Sequence, residues 1–100
     1  MKNKITEIEI VPIKPKNGLL AFASLVLNDG LFLSSIGIHS KLDGSGYRLT
    51  YPTKPVGGKG VNIYHPINKQ SSSDIEEAVI GKFKNVMKKV NGRYSSFNIN

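Results

Sequence analysis

Two apolar runs separated by three residues constrain this chain more than any other feature. Residues 19–27 read LLAFASLVL and residues 31–39 read LFLSSIGIH, with only Asn28, Asp29 and Gly30 between them. A short Asn/Asp/Gly connection between two such runs is a hairpin signal, so both runs are expected as antiparallel neighbours near the centre of a sheet. Upstream, residues 5–13 (ITEIEIVPI) alternate around Ile8 and Ile10 with Glu7 and Glu9 between them. That is the period-two pattern of a half-buried strand. Pro12 and Pro15 place it at an edge or a strand end, because proline cannot donate to a ladder.

A second turn, Asp43-Gly44-Ser45-Gly46, leads into residues 47–51, where Tyr47, Leu49 and Tyr51 share one face and Arg48 and Thr50 the other. Residues 61–64 predict a last short strand, ended by His65-Pro66. Connections this short favour antiparallel order, since a parallel pair would need a crossover. The period then changes. Ser73-Asp74-Ile75-Glu76 fits a capping box with Ser73 as N-cap and Glu76 at N3, opening a helix over about residues 74–90. Ile75, Val79, Phe83, Val86 and Val90 form its apolar stripe beside Ala78. Acids in its first turn and Lys84, Lys88 and Lys89 toward its end complement the helix dipole, and Gly92 is the expected stop.

The predicted fold class is therefore α+β: an antiparallel meander of about five strands with one C-terminal helix packed on one face. A length of 100 residues suits one domain, taken as residues 1–93, followed by a loose tail over residues 94–100. With no cysteine, disulfides and thiolate metal sites are excluded, so packing alone, or packing shared with a second subunit, must hold the fold. The N-terminus starts cationic, but Glu7 and Glu9 interrupt the apolar region a signal peptide needs, and no apolar run reaches membrane-spanning length. A cytoplasmic protein is expected.

Charge directs the functional reading. Fourteen Lys and Arg stand against seven Asp and Glu, a formal net charge of +7. After Asp43 the only acids are Asp74, Glu76 and Glu77, so the C-terminal half is the more cationic. The segment from Tyr51 to Ile67, YPTKPVGGKGVNIYHPI, carries Lys54 and Lys59 and no acid. A surface loop rich in Gly lets a ligand approach the backbone, and this one suits a polyanion, with Lys54 and Lys59 on phosphate. Its glycines do not follow the GxxxxGK[ST] spacing of a P-loop, and no helix follows directly, which argues against a nucleotide triphosphatase. The ordinary alternative is a flexible hairpin loop with solvated lysines.

A second basic set comprises Lys82, Lys84, Lys88, Lys89 and Arg93, with Lys84 and Lys88 on the helix face opposite the stripe. Many surface helices are lysine-rich without binding anything. Lys69 stands apart: beside Gln70, Ser71, Ser72 and Ser73 it enters a helix N-terminus, where backbone N–H groups favour phosphate. His39 and His65 are far apart without cysteine partners, so no metal site is expected, and His65 is expected to order the turn before the helix through a hydrogen bond. No Ser-His-Asp or paired-carboxylate arrangement emerges from the seven acids. No enzymatic activity, cofactor or small-molecule substrate is expected.

Four motifs in order, AFASLVLND at residues 21–29, IGI at 36–38, YPTK at 51–54 and HPI at 65–67, give the chain a family resemblance over roughly residues 5–90. It resembles SpoVG, the stage V sporulation protein G or septation protein family. The resemblance implies a bacterial, non-enzymatic regulator of sporulation, septation or cell division that binds DNA and, in some members, RNA. It also implies a homodimer built on an antiparallel sheet with a C-terminal helix. The chain departs from the family pattern where arginines are expected: the Pro-Ser-Lys-Arg segment is Pro52-Thr53-Lys54-Pro55, and the arginine of an Ile-Arg-Val strand is Gly37. A Ser-Thr-Arg-like stretch corresponds loosely to residues 69–73, without the arginine. The residues expected to compensate are Lys54, Lys59, Lys69, Ser71, Ser72, Lys84 and Lys88. The alternative is a protein–protein interaction module whose exposed sheet edge pairs with another protein.

Overall fold

The computed structural model describes residues 2–98, with side chains as far as Lys89; residues 99 and 100 of the expected tail, and the side chains of Val90 and Arg93, lie outside it. Four strands, β1 (Ile5–Lys16), β2 (Leu19–Leu27), β3 (Leu31–Ser40) and β4 (Tyr47–Thr50), form one antiparallel sheet in the order β1-β2-β3-β4. The two apolar runs are its central strands, as their short connection predicts, and Pro12 lies in the edge strand β1. Asn17 and Gly18 close the first hairpin and Asn28 and Asp29 the second, each pair with both residues at positive φ. That is the φ signature of the turns whose twist matches paired strands.

The ladders shift register at four places, and two of these shifts fall at single extra residues with positive φ. Glu7 (φ 50°) is an extra residue in β1 between the pairs Thr6–Val26 and Glu9–Ser24, and Ser35 (φ 61°) is one in β3 between Ala23–Ile36 and Leu25–Leu33. A bulge reverses the alternation of faces beyond it. Leu33 and Ile36, three apart, therefore both reach the core, and so do Ile5 and Ile8 on β1.

The last strand expected, at residues 61–64, overlaps an observed strand that does not join this sheet. Instead β5 (Thr53–Val56) and β6 (Lys59–Asn62) pair only with each other, forming a separate two-stranded ribbon closed by Gly57 and Gly58 at φ 56° and 80°. Glycine occupies two successive positive-φ positions at no steric cost, so the segment expected as a flexible hairpin loop is a tight two-residue hairpin. Tyr51 and Tyr64 flank its base edge to face, with ring centroids 5.9 Å apart, and the Tyr64 hydroxyl donates to the Ser34 carbonyl of β3.

Helix α1 (Lys69–Asn98) starts five residues before the predicted position. Asn68, not Ser73, is its N-cap: the Asn68 side-chain oxygen accepts the Ser71 N–H at 2.8 Å while its carbonyl accepts the Ser72 N–H. The first turn consequently holds Lys69 and no acid, and Gly92 falls inside the helix rather than ending it. Ile75, Val79 and Phe83 pack on Ala21, Ala23, Leu25, Leu33, Ile36 and Ile38 to make the buried core. Among the described residues no helix is long and apolar enough to cross a membrane.

Asp74, 4% exposed, ties the N-terminal segment to the helix. It accepts the Asn3 backbone N–H at 2.9 Å, the Asn3 amide at 3.0 Å and the Gln70 amide at 2.7 Å. The Asn3 N–H, aided by Gln70 and Lys2, holds this carboxyl below its ordinary pKa against the opposing effect of burial. A depressed native value means that the folded state favours the carboxylate. Its stabilisation is therefore present above about pH 4 and fades as the pH falls through the depressed value. Asp74→Asn should lower the melting temperature at pH 7 by about 5 °C or more, and the gap to the parent protein should close as melts are repeated toward pH 2.

Candidate nucleic-acid interface

The ribbon's register decides how its lysines are placed. Lys54 pairs with Val61 and Val56 with Lys59, whereas Thr53 pairs with Asn62 and Pro55 with Gly60. Cross-strand partners share a face, so Lys54 and Lys59 lie diagonally on one side of the ribbon with Val56 and Val61. Every residue of both strands is exposed. Residues 44–73 contain no acid, so no carboxylate within this stretch offsets the pair.

Seven residues after the end of β6, Lys69 opens α1 and is exposed. Ser71 and Ser72, half-buried, are already engaged: the Ser71 hydroxyl accepts the Asn3 amide at 3.3 Å, and both backbone N–H groups donate to Asn68. Lys84 and Lys88 are exposed one turn apart, opposite the Ile75, Val79 and Phe83 stripe, and so point away from the sheet. Lys54 and Lys59 thus share one face, while Lys84 and Lys88 share another on the back of the helix. The exposed His65 has its Nδ1 3.0 Å from the Pro66 carbonyl, the turn-ordering contact expected for it.

A second polar pair escapes sequence reading altogether. His39 Nε2 and Thr50 Oγ1 are 2.8 Å apart on β3 and β4, and His39 Nδ1 is buried without a partner. Burial, with the Arg48 guanidinium as a second cause, pushes the His39 pKa down and favours the neutral imidazole. Burial likewise pushes the Tyr51 phenol up to about 12, with Glu76 adding to it, so Tyr51 stays uncharged. The cationic character of this region rests on lysine and arginine.

The SpoVG family model matches residues 3–85, which include the sheet, the ribbon and the first half of α1. The chain belongs to the SpoVG family. No curated protein matches it in sequence. In this SpoVG-family chain the ribbon carries Lys54 and Lys59 on opposite strands, with Pro55 next to Lys54. Gly37 has a steric reason. A Cβ there would lie 2.5 Å from Thr50 Oγ1 and 3.1 Å from His39 Nε2, so the space an arginine stem would enter is filled by that pair.

Proposed function

We propose that this SpoVG-family chain is a non-enzymatic nucleic-acid-binding regulator that acts as a cytoplasmic homodimer, with the β5–β6 ribbon as its primary contact to DNA. The observation that carries this reading is the shared ribbon face of Lys54 and Lys59 within an acid-free stretch. A two-stranded ribbon is narrow enough to enter a major groove, and lysines on it hold phosphates as point charges. Lys69 at the helix entrance and Lys84 and Lys88 on the back of the helix add positive charge away from the ribbon face, and a dimer doubles the whole with a gain in avidity.

Replacing Lys54, Lys59 and Lys69 together with alanine should weaken duplex binding at least about tenfold in fluorescence anisotropy, because each removes a phosphate contact. The melting temperature should hardly change, since exposed charges contribute little stability. With about four to six phosphates neutralised, log affinity should fall against log salt with a slope of roughly −4 to −5. A flat salt response, or a triple variant that binds like the parent, would remove the basis for this function. Exposed Val56 and Val61 beside the lysines favour the second reading, a ribbon that docks on another protein. That reading gains if Val61→Ser abolishes capture of a partner protein while duplex binding persists.

A further inference from the structure

Helix α1 covers one face of the four-stranded sheet, and among the described residues no layer covers the other. Its composition follows from the register. One row across all four strands is Val11, Phe22, Gly37 and Thr50, and the next toward the first hairpin is Lys16, Leu19, His39 and Arg48. In the opposite direction come Glu9 with Ser24, then Thr6, Val26 and Phe32. Phe22 is 40% exposed and Phe32 66%, both on central strands. Phe22 has Val11 on one side and a partner without a side chain, Gly37, on the other. Beside it lies an open recess of about 250 Å³ edged by Glu9, Ser24 and Ser35.

We infer that this open face is a second binding surface, a stacking platform for single-stranded nucleic acid. An antiparallel sheet with helical cover on one side and aromatic rings exposed on central strands of the other is suited to holding splayed bases against those rings. The recess supplies the polar groups an unpaired base needs: the Glu9 carboxylate accepts from an exocyclic amino group, and the serine hydroxyls donate or accept. Lys16 and Arg48, exposed at the two edges of the adjoining row, lie where phosphates of such a strand would pass.

The same groups disfavour other occupants. A duplex keeps its bases stacked and would bring phosphates toward Glu9. A protein partner would have to bury Glu9, Ser24, Ser35, Thr50 and His39 in an interface centre that is normally depleted in charge. The inference rests on the nucleic-acid reading above but assigns a different surface and a different strand state.

Anisotropy of a labelled mixed-sequence strand of about 12 nucleotides, as DNA and as RNA, beside the duplex of the same sequence, separates the two surfaces. Phe22→Ala should weaken binding of the single strands at least about tenfold, with duplex affinity within about twofold of the parent. Phe22→Tyr, which keeps the ring, should bind like the parent. The triple lysine variant should show the reverse preference, losing duplex more than single strand. Single-strand binding unaffected by Phe22→Ala overturns the platform and leaves the ribbon reading intact, as does duplex binding without any single-strand binding. Failure of the parent protein to bind duplex counts against the ribbon alone. Dissociation of an oligomer by Phe22→Ala in sedimentation would make the face an interface between copies and overturn the platform too.

Discussion

Phe83→Ala should cost about 3–5 kcal/mol of folding free energy, the largest loss expected from any single substitution in this chain. Phe83 is 2% exposed and reaches from α1 into the sheet, where its ring meets Tyr47 of β4 edge to face with centroids 5.0 Å apart. It has the largest side chain among the most deeply buried residues, and Val79 and Ile75, one and two turns away, depend on it to hold the helix on the sheet. A domain of this size holds only about 5–15 kcal/mol in total, so the variant should sit near its unfolding threshold at 37 °C. Urea titration followed by circular dichroism should show the midpoint falling steeply with an unchanged slope. Lys84→Ala, one residue along on the exposed side, should stay within about 0.5 kcal/mol of the parent. Equal losses at the two positions would mean that the helix is not docked through this stripe.

The helix stripe and the central hairpin are legible in the sequence because each depends on local spacing alone. Ile75, Val79 and Phe83 repeat at four residues, and Asn28-Asp29-Gly30 leaves no room for any connection but a turn. What the sequence hides depends on tertiary choice. Ser73 and Glu76 make a sound capping box, yet Asn68 captures the helix start first, leaving Asp74 free to bind the N-terminal Asn3. The bulges at Glu7 and Ser35 are set by pairing, and a period-two reading passes over them. The ribbon looks like one more strand of the meander because its pattern says nothing about where it pairs.

The candidate interface was legible in the same divided way. Composition alone singles out Lys54 and Lys59, but that they share a face follows only from the Lys54–Val61 and Val56–Lys59 register. Ser71 and Ser72 suit a helix entrance at Ser73; with the entrance at Asn68 their backbone donors lie within the first turn and are satisfied there. In the sequence Phe22 is only one member of an apolar run. Its exposure follows from which face α1 covers, and nothing within residues 19–27 specifies that choice.

Gly37→Ala tests how the open face is built and should destabilise the protein by about 2–4 kcal/mol, although it adds one methyl group. Backbone conformation is not the obstacle, because Gly37 is not at positive φ. The obstacle is contact: the new Cβ would stand 2.5 Å from Thr50 Oγ1 and 3.3 Å from Leu19 Cδ1. Thr50 would have to turn away, breaking its 2.8 Å contact with His39 and leaving both ring nitrogens of that imidazole without a partner. Thr50→Ala alone should cost about 1 kcal/mol, the loss of one hydrogen bond. In the double variant the methyl group has room, so its cost should fall short of the sum of the two singles by more than 1 kcal/mol in urea titrations of all four proteins. Strict additivity would show that Thr50 does not set the identity of residue 37. The coupling also accounts for the glycine at 37: with threonine at 50 and histidine at 39, a long side chain there has no place to start. The row that holds Phe22 stays low on that side as a result.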